Sequence, residues 1–362
     1  MKKFTISVCF IVKNEEKVFE KILKCAQKFA DEIVVVDTGS IDKTIEIARK
    51  YTDKIYNFKW CDDFSKARNF AFSKGTCDYL MWLDADDFIF EKDIKKIFDL
   101  KVSGKTFDMA FFKYVTGYDE NFKPTFEFER ERLLRREVGY QWVEPVHEVI
   151  VPSGKVIHED IKIYHFKGEK ERADRNLKIY EKRIAEGELL SPRAMFYYAR
   201  ELYYNAFYLK AIAEFNEFLK RKDAWIENKI EACLNLSYCY LCLEEKENAL
   251  RSLFQSFVYD LPRAEILCQI GKIYYDYDYK KSIYYYSLAL KCEMDIKKGG
   301  FILPDYYKFI PYLQLCVLHF RLSDYKKAFF YHKKCLKLKP KHSSVLYLSL
   351  IHISEPTRPI SI

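Results

Sequence analysis

The sequence predicts a two-part chain: an α/β domain with a mostly parallel, helix-wound sheet, then an all-α solenoid of helical repeats. Three observations carry this. Strand-like and helix-like segments alternate at βαβ spacing through roughly the first 175 residues. Aspartates stand where strands should end, at Asp37 and at Asp84-Ala85-Asp86, and ligands of open parallel sheets gather at those ends. From about Ser191 the alternation stops, and similar apolar blocks return at spacings of roughly 38, 33 and 46 residues.

In order, residues 5–12 are β-rich and apolar on both faces, as a central parallel strand requires. Lys13-Asn14-Glu15-Glu16 opens a helix reaching about Phe29. Residues 32–36 form a second strand that ends at Asp37-Thr38-Gly39-Ser40, with Ser40 or Asp42 capping the next helix. A short strand is expected at 54–58 and a helix at 64–74, with Gly75 as its stop. The bulky run 79–83 then meets three carboxylates, Asp84, Asp86 and Asp87. At a strand end, the D-x-D pair Asp84 and Asp86 can face one divalent cation, and hard oxygen ligands suit Mg²⁺ or Mn²⁺. The plain alternative is a solvated acidic turn. Neither G-x-G-x-x-G nor G-x-x-x-x-G-K-[ST] occurs, which argues against a dinucleotide site and a P-loop.

With 362 residues there is room for two or three packed cores, and 49% apolar content excludes a disordered chain. A net charge of +8 suits an anionic small substrate or membrane surface. No basic cluster is interleaved with aromatics in a reading motif, so nucleic acid is not an expected partner. The 11 cysteines show no paired framework. Cys239 and Cys242 make a lone C-x-x-C whose expected role is core packing rather than zinc binding. Reduced thiols place the protein in the cytoplasm, with a peripheral position at the inner membrane face as the alternative. The N-terminal Met1-Lys2-Lys3 and its apolar run imitate a signal peptide, but no cleavage site follows. No later run is long enough for a membrane span.

ISVCFIVKNEE, EIVVVDTGSIDKT, FSKARNFAFSKG and YLMWLDADD, in this order and spacing, resemble family 2 glycosyltransferases with the Rossmann-like GT-A fold. The resemblance covers roughly the first 170 residues. It implies a nucleotide-sugar donor, UDP-linked by preference, a divalent metal, and inversion at the anomeric carbon. Carried over by position, Asn14 and Glu15 line the nucleotide pocket. Asp37 holds the uracil or ribose, and Arg68 lies beside the base or phosphates. Asp84 contacts ribose and metal, and Asp86 is the principal metal ligand.

The later part of this domain adds candidates. Residues 107–114 are apolar and β-like, and the basic run 130–136 is expected as an exposed face or a rim for pyrophosphate. Trp142 and Val146-His147-Glu148 resemble an element that lies beneath the acceptor in related transferases. An inverting transfer needs a carboxylate near the acceptor proton. Glu148 is the first candidate base and Glu144 the second, with His147 orienting either. Strand 161–165 ends in His165, which the resemblance makes a further metal ligand. Lys167, Arg172 and Arg175 are expected phosphate clamps.

The expected boundaries are a transferase domain at 1–175, a linker helix at 176–190, and degenerate tetratricopeptide-like repeats at 191–347. Such units stack into a solenoid with a concave binding face. Residues 348–362 resemble a translated sequencing adaptor and are expected to be non-native. The layout resembles bacterial peptide transferases, including S-glycosyltransferases of glycosylated bacteriocins. Similar layouts serve cell-surface polysaccharide or lipid-linked glycan assembly. Acceptors are thus a peptide, protein or glycan, with a protein partner on the repeat face. Two other readings stand beside this: a non-catalytic scaffold with a binding solenoid, and a nucleotidyltransferase on the same sheet. The latter lacks a glycine-rich basic loop after its first strand.

Overall fold

The computed structural model describes residues 3–118, 122–166, 174–295, 300 and 302–354. The chain divides into two compact units, Met1–Gly187 and Glu188–Ile362.

In the first unit β1 (Ile6–Val12), β2 (Glu32–Asp37), β3 (Ile55–Asn57) and β4 (Tyr79–Trp82) form the parallel half of the sheet. Helices α1 (Phe19–Phe29), α2 (Thr44–Ala48) and α3 (Phe64–Lys74) connect them. After β4 come β5 (Asp87–Phe88), α4 (Glu91–Val102), β6 (Met109–Tyr118), β7 (Pro124–Arg135), β8 (Trp142–Val143), β9 (Val149–Ile150), β10 (Val156–His165) and α5 (Arg175–Ala185). The sheet order is β3-β2-β1-β4-β7-β6-β10-β5, and β8 pairs with β9 in a separate ribbon. β7 runs antiparallel to both β4 and β6, and β5 runs antiparallel to β10. The mostly parallel, helix-wound domain expected from the sequence is therefore present, with an antiparallel insertion in its second half.

Alternation along β1 explains the two-sided core. Ile6, Val8, Phe10 and Val12 face α1 and α4, where Phe19, Ile22, Leu23, Ile94 and Ile97 bury against them. Cys9 faces the other side with Ala71 and Phe72 of α3, Trp82 and Trp142. Asp63 caps α3 by accepting from Lys66 N at 3.0 Å. Gly75 ends α3 at φ −73°, so handedness does not demand glycine there. Space does, because an added Cβ would meet Leu80 Cδ2 and lie 3.1 Å from Ser7 Cβ.

Helix α5, in the stretch expected as a linker, belongs to the first unit. Arg183 reaches the buried Asp63 at 3.1 Å, Lys182 reaches Asp62 at 2.6 Å, and Tyr180 Oη donates to Val146 O at 3.4 Å.

The second unit, over its described residues, is all-helical. α6 (Pro192–Tyr204), α7 (Tyr208–Lys220), α8 (Ile226–Cys242), α9 (Lys246–Gln255), α10 (Ala264–Tyr274), α11 (Tyr279–Ala289), α12 (Phe309–Arg321) and α13 (Tyr325–Leu338) make four successive helical hairpins. α14 (Ser343–Ser354) follows. Ser191 caps α6 with Pro192 at its first position, and Asp278 and Asp324 cap α11 and α13. Ala206, Glu244 and Ser323 take φ of 63°, 63° and 59° in three of the hairpin turns. Gly271 lets α11 approach α10, with Tyr286 ring carbons 3.0 Å from where its Cβ would stand. α14 runs across the boundary expected at residue 348, because no breaker occurs before Pro356.

Candidate active site

β4 delivers the acidic run to the carboxyl end of the sheet. Leu83 N still bonds to Cys9 O at 3.3 Å, and Asp87 N then turns back to Asp84 O at 3.1 Å. β5 pairs Asp87 with His165 at the end of β10. The sheet thus brings together two segments that lie far apart in sequence.

Asp84 Oδ1 accepts from Arg68 Nη2 at 2.8 Å, and Arg68 Nε donates to Glu148 Oε1 at 2.7 Å. The Arg68 guanidinium lies between two indoles, 4.8 Å from Trp82 and 4.9 Å from Trp142. Burial pushes the Asp84 carboxyl up, but Arg68 and Arg132 outweigh it and hold the group well below the usual carboxylate range. For Asp86 the balance is opposite. Burial, with repulsion from Asp84 and Asp87, pushes it up to about 6 despite His165. Burial lowers His165, yet the Asp87 hydrogen bond and the three acids leave it raised.

These residues fit a divalent cation. Asp84, Asp87 and His165 each offer a ligand atom, all within 4.8 Å of one another. Asp86 Oδ1 lies 3.4 Å from His165 Nδ1. Its raised carboxyl marks negative charge that the described side chains do not balance, and oxygen with imidazole donors suits Mn²⁺ or Mg²⁺.

The Glu144–Glu148 loop is held from three sides. Asn69 receives Trp142 N at 2.8 Å and donates to Trp142 O at 2.9 Å. Phe64 N bonds to Pro145 O at 2.8 Å, and α5 contributes Tyr180. Glu144 and His147 take φ of 74° and 55°, a local strain that such anchoring sustains. Glu148 is the loop carboxylate that reaches Arg68. Its Oε2 has no protein hydrogen bond among the described residues.

Asn14 and Asp37 form a second group beside the acidic run, at paired ends of β1 and β2. Asn14, at φ 55°, accepts from Ile41 N at 2.9 Å, and its N donates to Ser40 Oγ at 3.0 Å. Asp37 receives Ser40 N at 3.1 Å and shapes the turn through Gly39 at φ 106°. Glu15 N bonds to Thr44 Oγ1 at 2.7 Å. Arg175 stacks 4.7 Å over Phe64. Lys167 and Arg172 lie outside the described residues.

Three site residues were not singled out individually in the sequence reading. Asp87 is the third acid of the same run, and it joins the possible ligand group. Asn69 follows Arg68 within a motif already singled out. Arg132 comes from the basic run, where an exposed face or rim was expected. It is instead fully buried, because β7 runs beside β4 and sets it over Trp82 at 3.5 Å.

A glycosyltransferase of Bacillus subtilis, SunS, is 27% identical over 216 residues, 55% of this chain and 49% of the relative. A lipopolysaccharide core biosynthesis glycosyltransferase of Rhizobium meliloti, LpsC, is 27% identical over 163 residues, 42% of this chain and 60% of the relative. A TPR repeat-containing protein of Synechococcus elongatus is 40% identical over 82 residues, 23% of this chain and 20% of the relative. The chain thus spans between a fifth and three fifths of the length of these relatives. The model of the family described as "Glycosyl transferase family 2" matches residues 7–161 of the chain.

Proposed function

We propose that the first unit is a metal-dependent, inverting glycosyltransferase that moves a sugar from a nucleotide-sugar, with UDP as the expected nucleotide. One observation carries the reading: Asp84, Asp87 and His165 gather at the sheet's carboxyl edge with Asp86 3.4 Å from His165, and Arg68 links Asp84 to the candidate base Glu148. The nucleotide lies along the ends of β1, β2 and β4, with Asn14, Glu15 and Asp37 around base and ribose. Asp86, Asp84 and His165 would hold the cation. When bound, that cation offsets the charge gained by the departing nucleoside diphosphate.

Glu148 Oε2 takes the proton from the acceptor nucleophile. The acceptor atom bonds to the anomeric carbon as the carbon–oxygen bond to the diphosphate breaks on the opposite face. Arg68 keeps Oε1 occupied, so Oε2 is the oxygen left for substrate.

A peptide or protein acceptor suits a chain whose second unit is a run of helical hairpins, an architecture that offers extended docking surfaces. A glycan acceptor is the second reading, favoured by the likeness to the lipopolysaccharide core transferase. Among the described residues, no helix is long and apolar enough to cross a membrane. The test is a panel of nucleotide-sugars with Mn²⁺, scored by nucleoside diphosphate release and then by transfer to peptide or glycan acceptors. A scaffold without activity would release none.

A further inference from the structure

Beneath the candidate metal residues lies a buried ion pair that this reaction scheme does not use. Asp87 is 2% exposed, and Arg132 is fully buried. Asp87 Oδ2 accepts from Asp84 N at 3.0 Å and from Arg132 Nη1 at 3.1 Å. Its Oδ1 accepts from Tyr114 Oη at 3.0 Å and faces His165 Nδ1 at 3.4 Å. A carboxylate offers about four lone-pair positions; three donors occupy three of them, and His165 Nδ1 faces the fourth. Asp86 differs, since beyond its own backbone its carboxylate meets His165 at 3.4 Å and accepts no side-chain hydrogen bond from another described residue. Although Asp87 stands close enough to share a cation with Asp84 and His165, its oxygens are committed elsewhere.

Arg132 supplies the second observation. Its guanidinium is clasped between the Trp82 ring at 3.5 Å and the Tyr114 ring at 4.3 Å, with Nη1 also donating to Trp82 O at 3.1 Å. Nε and Nη2 are buried with no hydrogen-bond partner among the described residues. A buried cation with two unsatisfied nitrogens is a poor stabilising device. Its retention calls for another purpose, and the carboxylate it holds is the one that faces His165.

Resting on the transferase reading above, we infer that Asp87, fixed by Arg132, is a positioning residue that orients His165 toward the cation without ligating the cation itself. Asp87 holds the Nδ1–H of His165 and leaves Nε2 as the lone pair for metal. Arg132 keeps Asp87 from swinging out to become a ligand. A metal-binding imidazole is commonly aimed in this way, and losing the partner costs about 10- to 100-fold in metal affinity.

The experiment is a titration of the full chain with Mn²⁺ alone, reading free Mn²⁺ by electron paramagnetic resonance, for the parent, Asp87→Asn, His165→Gln and their double variant. Each single change is expected to weaken Mn²⁺ binding about 10-fold or more. The double variant should bind about as His165→Gln does, because Asp87 acts through that ring. Multiplied losses would make Asp87 a ligand in its own right and overturn the inference. Since Asp87→Asn leaves Arg132 as an isolated buried charge, Asp87→Asn/Arg132→Met removes both charges together. Its circular dichroism and unfolding midpoint should stay near the parent's while Mn²⁺ binding remains about 10-fold weaker. Parental Mn²⁺ affinity in that variant would show the pair to be a brace only, and the inference would fall. A parent that binds no Mn²⁺ would instead bring down the transferase reading, and this inference with it.

Discussion

Arg68 Nε and Glu148 Oε1 meet at 2.7 Å across 80 residues of sequence, and the same guanidinium holds Asp84 at 2.8 Å. One buried cation therefore ties the expected metal side of the cleft to the expected acceptor side. Removing it strands two carboxylates in a half-buried setting. Arg68→Met should destabilise the first unit by about 3–5 kcal/mol and reduce transfer at least about 100-fold. Arg68→Met/Glu148→Gln should regain much of the stability but none of the transfer. Thermal unfolding and a product assay on the same samples separate the two effects.

Glu148→Gln keeps the shape of the side chain and still accepts from Arg68 through its amide oxygen. Donor binding should stay within about 3-fold of the parent, while transfer falls by about 100-fold or more. Parallel calorimetry with the nucleotide and single-turnover transfer would read this. Full transfer would move the base role to Glu144.

The second unit should carry its own pH dependence. Burial pushes Glu231 up to about 7, opposed by Arg200 and Asn235 and reinforced by Glu265. The unfolded chain releases this proton near 4.5, so between about 4.5 and 7 the folded form binds it more tightly. Stability contributed by the protonated form is therefore lost as pH rises through that window, by at most about 3 kcal/mol. Unfolding midpoints of the parent should be higher at pH 5.5 than at pH 8. Glu231→Gln should flatten that difference.

Gly271 is the close-approach point between α10 and α11, with Ser282 Oγ donating to its carbonyl at 2.8 Å. Tyr286 ring carbons stand 3.0 Å from an added Cβ, and a buried ring yields little. Gly271→Ala should cost about 1–3 kcal/mol despite alanine's better helix propensity. Chemical denaturation followed through the helical signal would measure it.

Local pattern carried much of this structure. The strands before Asp37 and Asp84 read directly from apolar runs ended by acids, and each lies where expected. Asp84 and Asp86 stand out as a D-x-D pair, His165 is added from what the resemblance implies, and the fold brings His165 close to both Asp84 and Asp86. Long-range pairing could not be read. Arg132 meets Asp87 across 45 residues, and only the antiparallel placement of β7 beside β4 makes that contact. In isolation its basic run looks like a solvated rim. Asp87 looked like one more acid of a turn until β5 set it opposite His165. The clamp by Asn69 on Trp142 likewise spans 73 residues and leaves no periodic trace.

The most direct test is nucleoside diphosphate release from UDP-sugars by the parent and by Asp86→Ala, each with Mn²⁺ and with chelator. Release by the parent should depend on the ion, and Asp86→Ala should fall about 100-fold or more, to the chelated level. Equal release by the variant, or by the parent with chelator, would contradict the claim that these carboxylates hold a working cation.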